Sequence, residues 1–269
     1  MMAFRRLVAT LTALLLGLAP SCGAALVADW TVTMSRTSGG YDDYRASAPD
    51  GAGGTWLVVR LPGGHRLVAY DAAGTRVSSV ALAGSGGWDG DALAVAPDGT
   101  GAVLVARSAG AAALDIVVSR HAPSGSLEWE RAVDGGGDER PAAVAVDLGG
   151  TVWVAGWRES PGGADALLAA IGPGGTLLWS RTADFGAGGD DAFYAVVPDG
   201  AGGVLAAGPA DRGGNPLTHV AAYGPDGALR FSRTLSLAGG AGEFPRAAAL
   251  AGSGVAATLW VAADSGNQL

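Results

Sequence analysis

The sequence predicts an all-β protein, specifically a β-propeller of four-stranded antiparallel blades, and three observations support this fold class. A segment of about 50 residues recurs along the chain, a period that is typical of propeller blades. Each copy contains short stretches of Val, Leu, Thr and Trp separated by Gly, Pro and Asp. After residue 25, no stretch has a sustained helical period. Four short strands in each of several repeats form a propeller.

Two columns of aligned residues define the repeat. The first column has steps of 48, 51, 50 and 52 residues and contains Trp30, Ser78, Trp129, Trp179 and Phe231. The second column consists of turns, at residues 49–51, 97–99, 147–149 and 198–200. Because two separate columns share one period, the repeat indicates blades of similar length and strand order.

The third repeat illustrates the four expected strands. They are predicted at residues 142–147, 151–157, 165–171 and 176–182. The first strand is rich in Ala, which suits the crowded axis of a propeller. The fourth carries the aromatic column, and there neighbouring blades diverge and large side chains fill the gap. We therefore expect Trp129 and Trp179 to be packing residues.

The two ends of the chain are predicted to share one blade. Residues 26–37 have the pattern of a fourth strand without a preceding first, second or third. Residues 246–250 and 258–263 have the pattern of a first and a second strand. Four complete blades and this composite give about five blades in a single domain, 26–269. No third strand of the closing blade is evident, so either that blade has three strands or the ring is incomplete.

Residues 1–25 are predicted to be a secretory signal peptide. Arg5 and Arg6 precede an apolar run, residues 7–18, and small residues follow it. The run is too short to span a bilayer comfortably, and no hydrophobic run after it is long enough for a membrane helix. Cleavage after Ala24 or Ala25 would release a soluble chain, whereas residues 18–22 also resemble a lipobox that would place a lipid on Cys22. Both alternatives put the protein outside the cytoplasm, as a secreted, periplasmic or envelope protein.

Charge and cysteine content exclude several other classes. The formal net charge is −8, and every one of the 17 basic residues is Arg. An acidic surface disfavours nucleic acid and anionic membrane as partners. Cys22 is the only cysteine, so the chain cannot form an internal disulfide.

The repeats resemble a known family. The stretches "DALAVAPDGTGAVLVA", "AAVAVDLGGTVWVAGW" and "AFYAVVPDGAGGVLAAG", with units such as "DALLAAIGPGGTLLWSRT", are similar to the bacterial secreted β-propeller repeats of the SBBP type. The resemblance covers residues from about 26 to 263, and the first repeat departs most from it. It implies a secreted bacterial scaffold and no particular activity, because such repeats share scaffold residues.

Acidic residues recur just before each predicted first strand, and they are the candidate site residues. With two neighbouring arginines, this set comprises Asp43, Asp91, Glu139, Arg140, Asp191, Glu243 and Arg246. A propeller would gather these loops on one face, where carboxylates could bind Ca²⁺, sugar hydroxyls or a cationic ligand. The alternative is that they accept hydrogen bonds from backbone N–H groups in Gly-rich turns. Their recurrence in every repeat favours that structural role.

Two functions from different classes remain open. The first is a non-catalytic extracytoplasmic binding or scaffold propeller, whose ligand is an unknown protein or carbohydrate and whose contact loops include residues 158–164 and 211–216. The second is a polysaccharide-active or quinone-dependent enzyme with its site at the channel mouth. The sequence contains no G-x-S-x-G, Walker or H-E-x-x-H motif. We therefore expect binding rather than catalysis.

Overall fold

The computed structural model describes residues 43–61, 64–82, 91–96, 103–109, 113–186, 188–211, 213–236, 243–251 and 258–265. Within these ranges all regular secondary structure is β-strand. The chain divides into two compact units, Met1–Ala83 and Gly84–Leu269. Its strands form four four-stranded antiparallel sheets and one two-stranded sheet. The prediction of an all-β propeller with four-stranded antiparallel blades is confirmed.

Each four-stranded sheet, called a blade below, is a simple meander in which consecutive strands pair. Blade 1, in the first unit, comprises β1 (Asp43–Pro49), β2 (Thr55–Leu61), β3 (Gly64–Tyr70) and β4 (Arg76–Leu82). Blade 2 comprises β5 (Asp91–Val95), β6 (Val103–Ala109), β7 (Asp115–His121) and β8 (Leu127–Val133). Blade 3 comprises β9 (Glu139–Val146), β10 (Val152–Ser160), β11 (Gly163–Ile171) and β12 (Leu177–Ala183). Blade 4 comprises β13 (Ala195–Pro198), β14 (Val204–Ala210), β15 (Leu217–Tyr223) and β16 (Leu229–Leu235).

The ends of the chain match the prediction where they are described. The strands β17 (Glu243–Ala251) and β18 (Thr258–Ser265) pair in an antiparallel two-stranded sheet. They correspond to the first and second strands expected for the closing blade. The expected fourth strand at residues 26–37 and the signal at residues 1–25 lie outside the described residues.

The aromatic column has the same structural position in every blade. Its members lie on β4, β8, β12 and β16, and the pairing with the third strand shifts by one residue beside each of them. In blade 3, Ala170 is opposite Trp179 whereas Ile171 is opposite Leu177, so Leu178 is the extra residue. In blade 1 the column is Ser78, and the same shift occurs there. The repeat therefore preserves the backbone even where the aromatic residue is absent.

The core of the second unit lies between blades, because each blade buries both faces. On β10, Val152 and Val154 belong to a cluster that also contains Leu104 and Ile116 of blade 2. The alternate residues of β10, Trp153 and Ala155, belong to a cluster with residues of blade 4. Alternation between the two faces explains why β10 is almost continuously apolar.

The first strands lie beside one another at the inner edge of the second unit. β5 contacts β9, β9 contacts β13, and β13 contacts β17. Within blade 3, a Cβ on Gly156 of β10 would collide with the backbone of Arg140 and Pro141 on β9, beside the register shift in that strand pair.

Tryptophans of the fourth strands fasten one blade to the next. Trp129 of β8 donates its Nε1–H to the carbonyl oxygen of Pro173 at 3.0 Å, and Trp179 of β12 donates likewise to Pro225 at 2.8 Å. Both acceptors lie in the turn between the third and fourth strands of the following blade. Each indole also covers a glycine of that turn: a Cβ on Gly175 would lie 2.9 Å from Trp129 Cδ2.

An arginine two residues after each tryptophan makes a second contact with the same turn. The Nε–H of Arg131 donates to the carbonyl oxygen of Gly175 at 2.6 Å, and that of Arg181 donates to Gly227 at 3.3 Å. The two Trp-x-Arg segments therefore bind main-chain atoms of the next blade. This contact, called the inter-blade clamp below, agrees with the packing role predicted for Trp129 and Trp179.

Aspartate side chains stabilise the turns that form the second repeated column. One side-chain oxygen of Asp50, Asp147 and Asp199 accepts hydrogen bonds from backbone N–H groups two or four residues later. Asp199 also pairs with Arg230 at 2.7 Å. Burial alone would raise the pKa of Asp199, but its backbone hydrogen bonds and Arg230 outweigh burial and lower that pKa. These aspartates stabilise their own turns.

The inter-blade clamp predicts a graded effect of Ala substitution at two glycines with nearly the same backbone conformation. Gly227 has φ +76°, and a Cβ there would lie 2.8 Å from Trp179 Cδ2; Gly213 has φ +74°, and a Cβ there would have no described atom within 4 Å. We expect Gly213→Ala to cost about 1 kcal/mol through the unfavourable φ. Gly227→Ala should cost about 1–3 kcal/mol more, because the indole must move.

Urea denaturation of both variants and the unmodified protein measures this difference in the free energy of unfolding. Equal losses in the two variants would contradict the clamp, since only Gly227 lies beneath an indole.

Candidate functional site

The predicted acidic residues occupy the start of the first strands rather than free loops. Asp43, Asp91, Glu139 and Glu243 are the first residues of β1, β5, β9 and β17. Asp191 precedes β13 and forms an isolated bridge with Ala210. These acids are drawn into the sheet because their backbones pair with the second strand of the same blade.

The structure describes the side chains of only three candidate residues. Those of Asp43, Asp91, Glu243 and Arg246 lie outside its described part, as does Cys22. Arg140 forms an ion pair with Glu159 at 2.6 Å, Glu139 is fully buried, and Asp191 is 1% exposed. Of these, Asp191 lines the cavity described below, whereas Glu139 belongs to a separate acidic cluster between blades 2 and 3.

The acidic residues that directly precede Glu139 and Asp191 connect adjacent blades. Asp138 accepts a hydrogen bond from the backbone N–H of Leu114 at 2.9 Å, and Asp190 accepts one from Ala164 at 3.0 Å. In both cases the acid begins one blade and the N–H belongs to the previous blade. These acids accept backbone N–H bonds, as the structural alternative expects, but the N–H groups belong to the previous blade and not to the acids' own Gly-rich turns.

Asp191 also connects two loops through hydrogen bonds. Its Oδ2 accepts a hydrogen bond from the N–H of Phe185 at 2.5 Å, and its Oδ1 accepts one from the N–H of Asp211 at 3.0 Å. Burial raises the pKa of Asp191 and outweighs these two hydrogen bonds, which act in the opposite direction. The carboxylate thus joins the loop before β13 to the loop after β14.

The loops at residues 158–164 and 211–216 meet at a cavity of about 360 Å³ between blades 3 and 4. Trp157 and Tyr194 form an aromatic corner, with ring centroids 5.9 Å apart and planes at 86°. Two prolines and four carboxylate residues complete most of the lining: Pro209, Pro216, Glu159, Asp190, Asp191 and Asp211. Both aromatic rings are half-buried, so part of each ring can contact a ligand.

Each carboxylate residue in the cavity already has a partner that orients it. Glu159 binds Arg140, and Asp190 and Asp191 accept the backbone N–H bonds described above. Asp211 accepts a hydrogen bond from the N–H of Gly214 at 2.8 Å. A carboxylate keeps further lone pairs after one such bond, so these groups can accept hydrogen bonds from ligand hydroxyls.

Sequence reasoning missed the aromatic corner. Trp157 follows Gly156 on the second strand, and Tyr194 lies just before β13, so neither belongs to the aromatic column of the fourth strands. The available signal was their difference from other repeats: Ser108 of blade 2 occupies the position of Trp157. A large aromatic at a position that is not aromatic in the other blades indicates a local role rather than a repeated packing role.

No protein-family model and no curated protein matches the sequence. Among solved structures, the chain is similar to Drosophila Semaphorin 2a, with 11% identity and a TM-score of 0.47 over 69% of this chain and 38% of that one. It is similar to the WD40 domain of Neurospora crassa Pan2, with 8% identity and a TM-score of 0.48 over 77% of this chain and 68% of that one. For Sqt1 from Chaetomium thermophilum the identity is 17% and the TM-score 0.49, over 82% of this chain and 52% of that one.

The chain spans less than two thirds of the semaphorin and Sqt1 chains. At such low identities and TM-scores, these proteins say nothing about its ligand or activity. The described part of the chain contains no helix that is long and apolar enough to cross a membrane.

The hydrogen bonds of Asp191 predict a large effect on stability. Asp191→Ala would leave the partly buried N–H groups of Phe185 and Asp211 without their buried acceptor, and we expect a loss of about 1–3 kcal/mol in the free energy of unfolding. Asp190→Ala is the matched control, because Asp190 is exposed and water can replace it at the N–H of Ala164. We expect that control to lose less than about 1 kcal/mol. Denaturant unfolding distinguishes the two, and an unchanged stability in Asp191→Ala would contradict the fastening role.

Proposed function

We propose that the protein is a non-catalytic binding propeller that takes a hydroxyl-rich ligand, a saccharide, in the cavity between blades 3 and 4. The observation that carries this proposal is the perpendicular pair of Trp157 and Tyr194 beside oriented carboxylates. The apolar face of a sugar ring packs on an aromatic side chain, and its hydroxyls donate to carboxylate oxygens. The cavity volume is at the lower end of the range for small-molecule sites.

The contacts of the carboxylates support binding rather than catalysis. A general acid or base exchanges a proton with the substrate and needs a carboxyl group that changes its protonation state easily. In this cavity, Asp190 and Asp191 accept backbone N–H bonds that connect loops, and Glu159 is paired with Arg140. Such groups act as fixed acceptors, which suits recognition.

Removal of either ring of the aromatic corner should weaken saccharide binding. Glycan-array screening followed by isothermal titration calorimetry would identify the ligand and its Kd. We expect Trp157→Ala or Tyr194→Ala to weaken binding about tenfold or more, equivalent to about 1.4 kcal/mol per factor of ten. Phe231→Ala is the matched control: Phe231 is 42% exposed on β16 and does not line the cavity.

Two results would contradict the proposal. One is the absence of any saccharide that binds the unmodified protein, and the other is a saccharide whose Kd is unchanged in both aromatic variants. A strong salt dependence of the Kd would point to a cationic ligand instead, because screening weakens ionic contacts and leaves neutral ones almost unchanged.

We further propose that the chain is a secreted bacterial propeller of the SBBP type. The support is the arrangement of residues 1–25 and the repeats that resemble this family. Mass spectrometry of protein purified from the exporting cell would test the export. A mature chain that begins at Ala25 or Leu26 supports a soluble secreted protein, and a chain that begins at lipidated Cys22 supports a lipid anchor. Intact residues 1–25 would contradict both.

A further inference from the structure

A second acidic cluster lies between blades 2 and 3. It consists of Asp115 at the start of β7, Asp134 just after β8, and Glu139 at the start of β9. One carboxylate oxygen from each of the three residues lies within 4.8 Å of the others. Three strand ends from two blades therefore bring three negative charges together.

Glu139 supplies an observation that is independent of this clustering. The residue is fully buried, and its Oε1 accepts the N–H of Gly137 at 2.9 Å. Its Oε2 is equally inaccessible and has no hydrogen-bond partner among the described residues. A buried carboxylate oxygen without a partner is costly, so a group outside the described residues is expected to satisfy it.

Neighbouring negative charge affects the pKa of two of the three acids. Burial raises the pKa of Asp115, and the nearby Asp134 raises it further. Burial likewise raises the pKa of Glu139, and both other acids of the cluster add to this effect. The negative charges therefore add to the effect of burial, and a positive ion among the three carboxylates would offset their mutual repulsion.

The next junction, between blades 3 and 4, also has acidic residues at these three positions, but there the acids have hydrogen-bond or ion-pair partners within the chain. Asp165, Asp184 and Asp191 are the equivalents of the three acids, each 50 or 52 residues later. Asp165 is bound by Arg158 at 2.8 Å and by the hydroxyl of Ser160 at 2.5 Å. Asp191 uses both oxygens for backbone N–H groups.

Blade 2 has a different residue at the position that Arg158 occupies in blade 3. Arg158 pairs with Asp165 across β10 and β11, and Ala109 pairs with Asp115 at the equivalent place across β6 and β7. Arg158 lies on β10, the strand next to Glu139 on β9. Its guanidinium group, however, is already bound to Asp165 and to the carbonyl oxygen of Gly135. Among the described residues, the first junction therefore has three acids and an alanine at the position where the second junction has Arg158.

We propose that Asp115, Asp134 and Glu139 bind a Ca²⁺ ion that joins blades 2 and 3. Carboxylate oxygens are the ligands that Ca²⁺ prefers, and it coordinates six to eight oxygens at about 2.3–2.6 Å. Oxygens on opposite sides of such an ion are about 4.8 Å apart, whereas those around Mg²⁺ are about 4.2 Å apart. The three oxygens lie within this 4.8 Å span of one another, so one ion can contact all three, and backbone oxygens or water complete its shell. The flexible coordination of Ca²⁺ tolerates ligands from separate strand ends better than the near-ideal octahedron that Mg²⁺ requires.

Calcium should stabilise the protein through this site alone. After treatment with EDTA and dialysis, thermal unfolding is measured with and without CaCl₂, and isothermal titration calorimetry gives the Kd. At a hundredfold excess of Ca²⁺ over the Kd, we expect the Tm to rise by about 5 °C or more. MgCl₂ at the same concentration should raise it much less.

Paired substitutions assign the effect to the cluster. Asp115→Asn combined with Asp134→Asn should abolish the Ca²⁺-dependent rise in Tm, and Glu139→Gln should abolish it while raising the Tm in EDTA. Asp184→Asn is the matched control, because Asp184 is the equivalent of Asp134 at the next junction and both cap a glycine N–H. This variant should keep the full response.

Three outcomes would overturn the proposal: no heat and no Tm change with Ca²⁺ in the unmodified protein, an undiminished response in the double variant, or an equal response to Mg²⁺. The site is independent of the saccharide cavity, so Trp157→Ala should leave the calcium response unchanged. Failure of one proposal therefore does not imply failure of the other.

Discussion

The second unit depends on the burial of each blade on both faces. A single four-stranded sheet such as blade 3 exposes two apolar surfaces, Val152 with Val154 on one side and Trp153 with Ala155 on the other. Neither surface can be covered by the blade itself, so each blade requires neighbours. The packing fixes the positions of the strand ends. The cavity between blades 3 and 4 and the acidic cluster between blades 2 and 3 are both consequences of this stacking, because each is built from strand ends that the core has already placed.

The fold was predictable because its signals recur. Every blade repeats the same turn and the same irregularity beside the fourth-strand column, so alignment of the repeats averages out local differences such as Ser78 in place of Trp. Strand order followed from the turns, and the packing role of Trp129 and Trp179 followed from their size and their position on the outer strand. In each case one physical requirement acts several times along the chain, and the sequence shows it several times.

The sites were less predictable because they depend on differences between repeats. Glu139 and Asp191 occupy equivalent positions and look interchangeable in the sequence. Within the described part of the chain, however, Glu139 has an oxygen without a hydrogen-bond partner, whereas Asp191 has both oxygens bound. The contrast between Ala109 and Arg158 decides whether the neighbouring acids are balanced, and it becomes visible only when β6 and β10 are aligned through their pairing. Trp157 was not predicted for the same reason. It occurs in one repeat only, so alignment of the repeated positions does not reveal it.

The inter-blade clamp has a consequence for how such chains change in evolution. Each Trp-x-Arg segment binds carbonyl oxygens, and the two clamped turns differ in side chains, Pro-Gly-Gly in one blade and Pro-Asp-Gly in the next. The contact therefore depends on the main chain of its neighbour and tolerates a change of the middle residue of the turn, but not of the glycine beneath the indole. A duplicated gene segment that encodes one blade carries both halves of this joint, so recombination can lengthen or shorten the array without compensating mutations, and individual blades remain free to diverge at their rims.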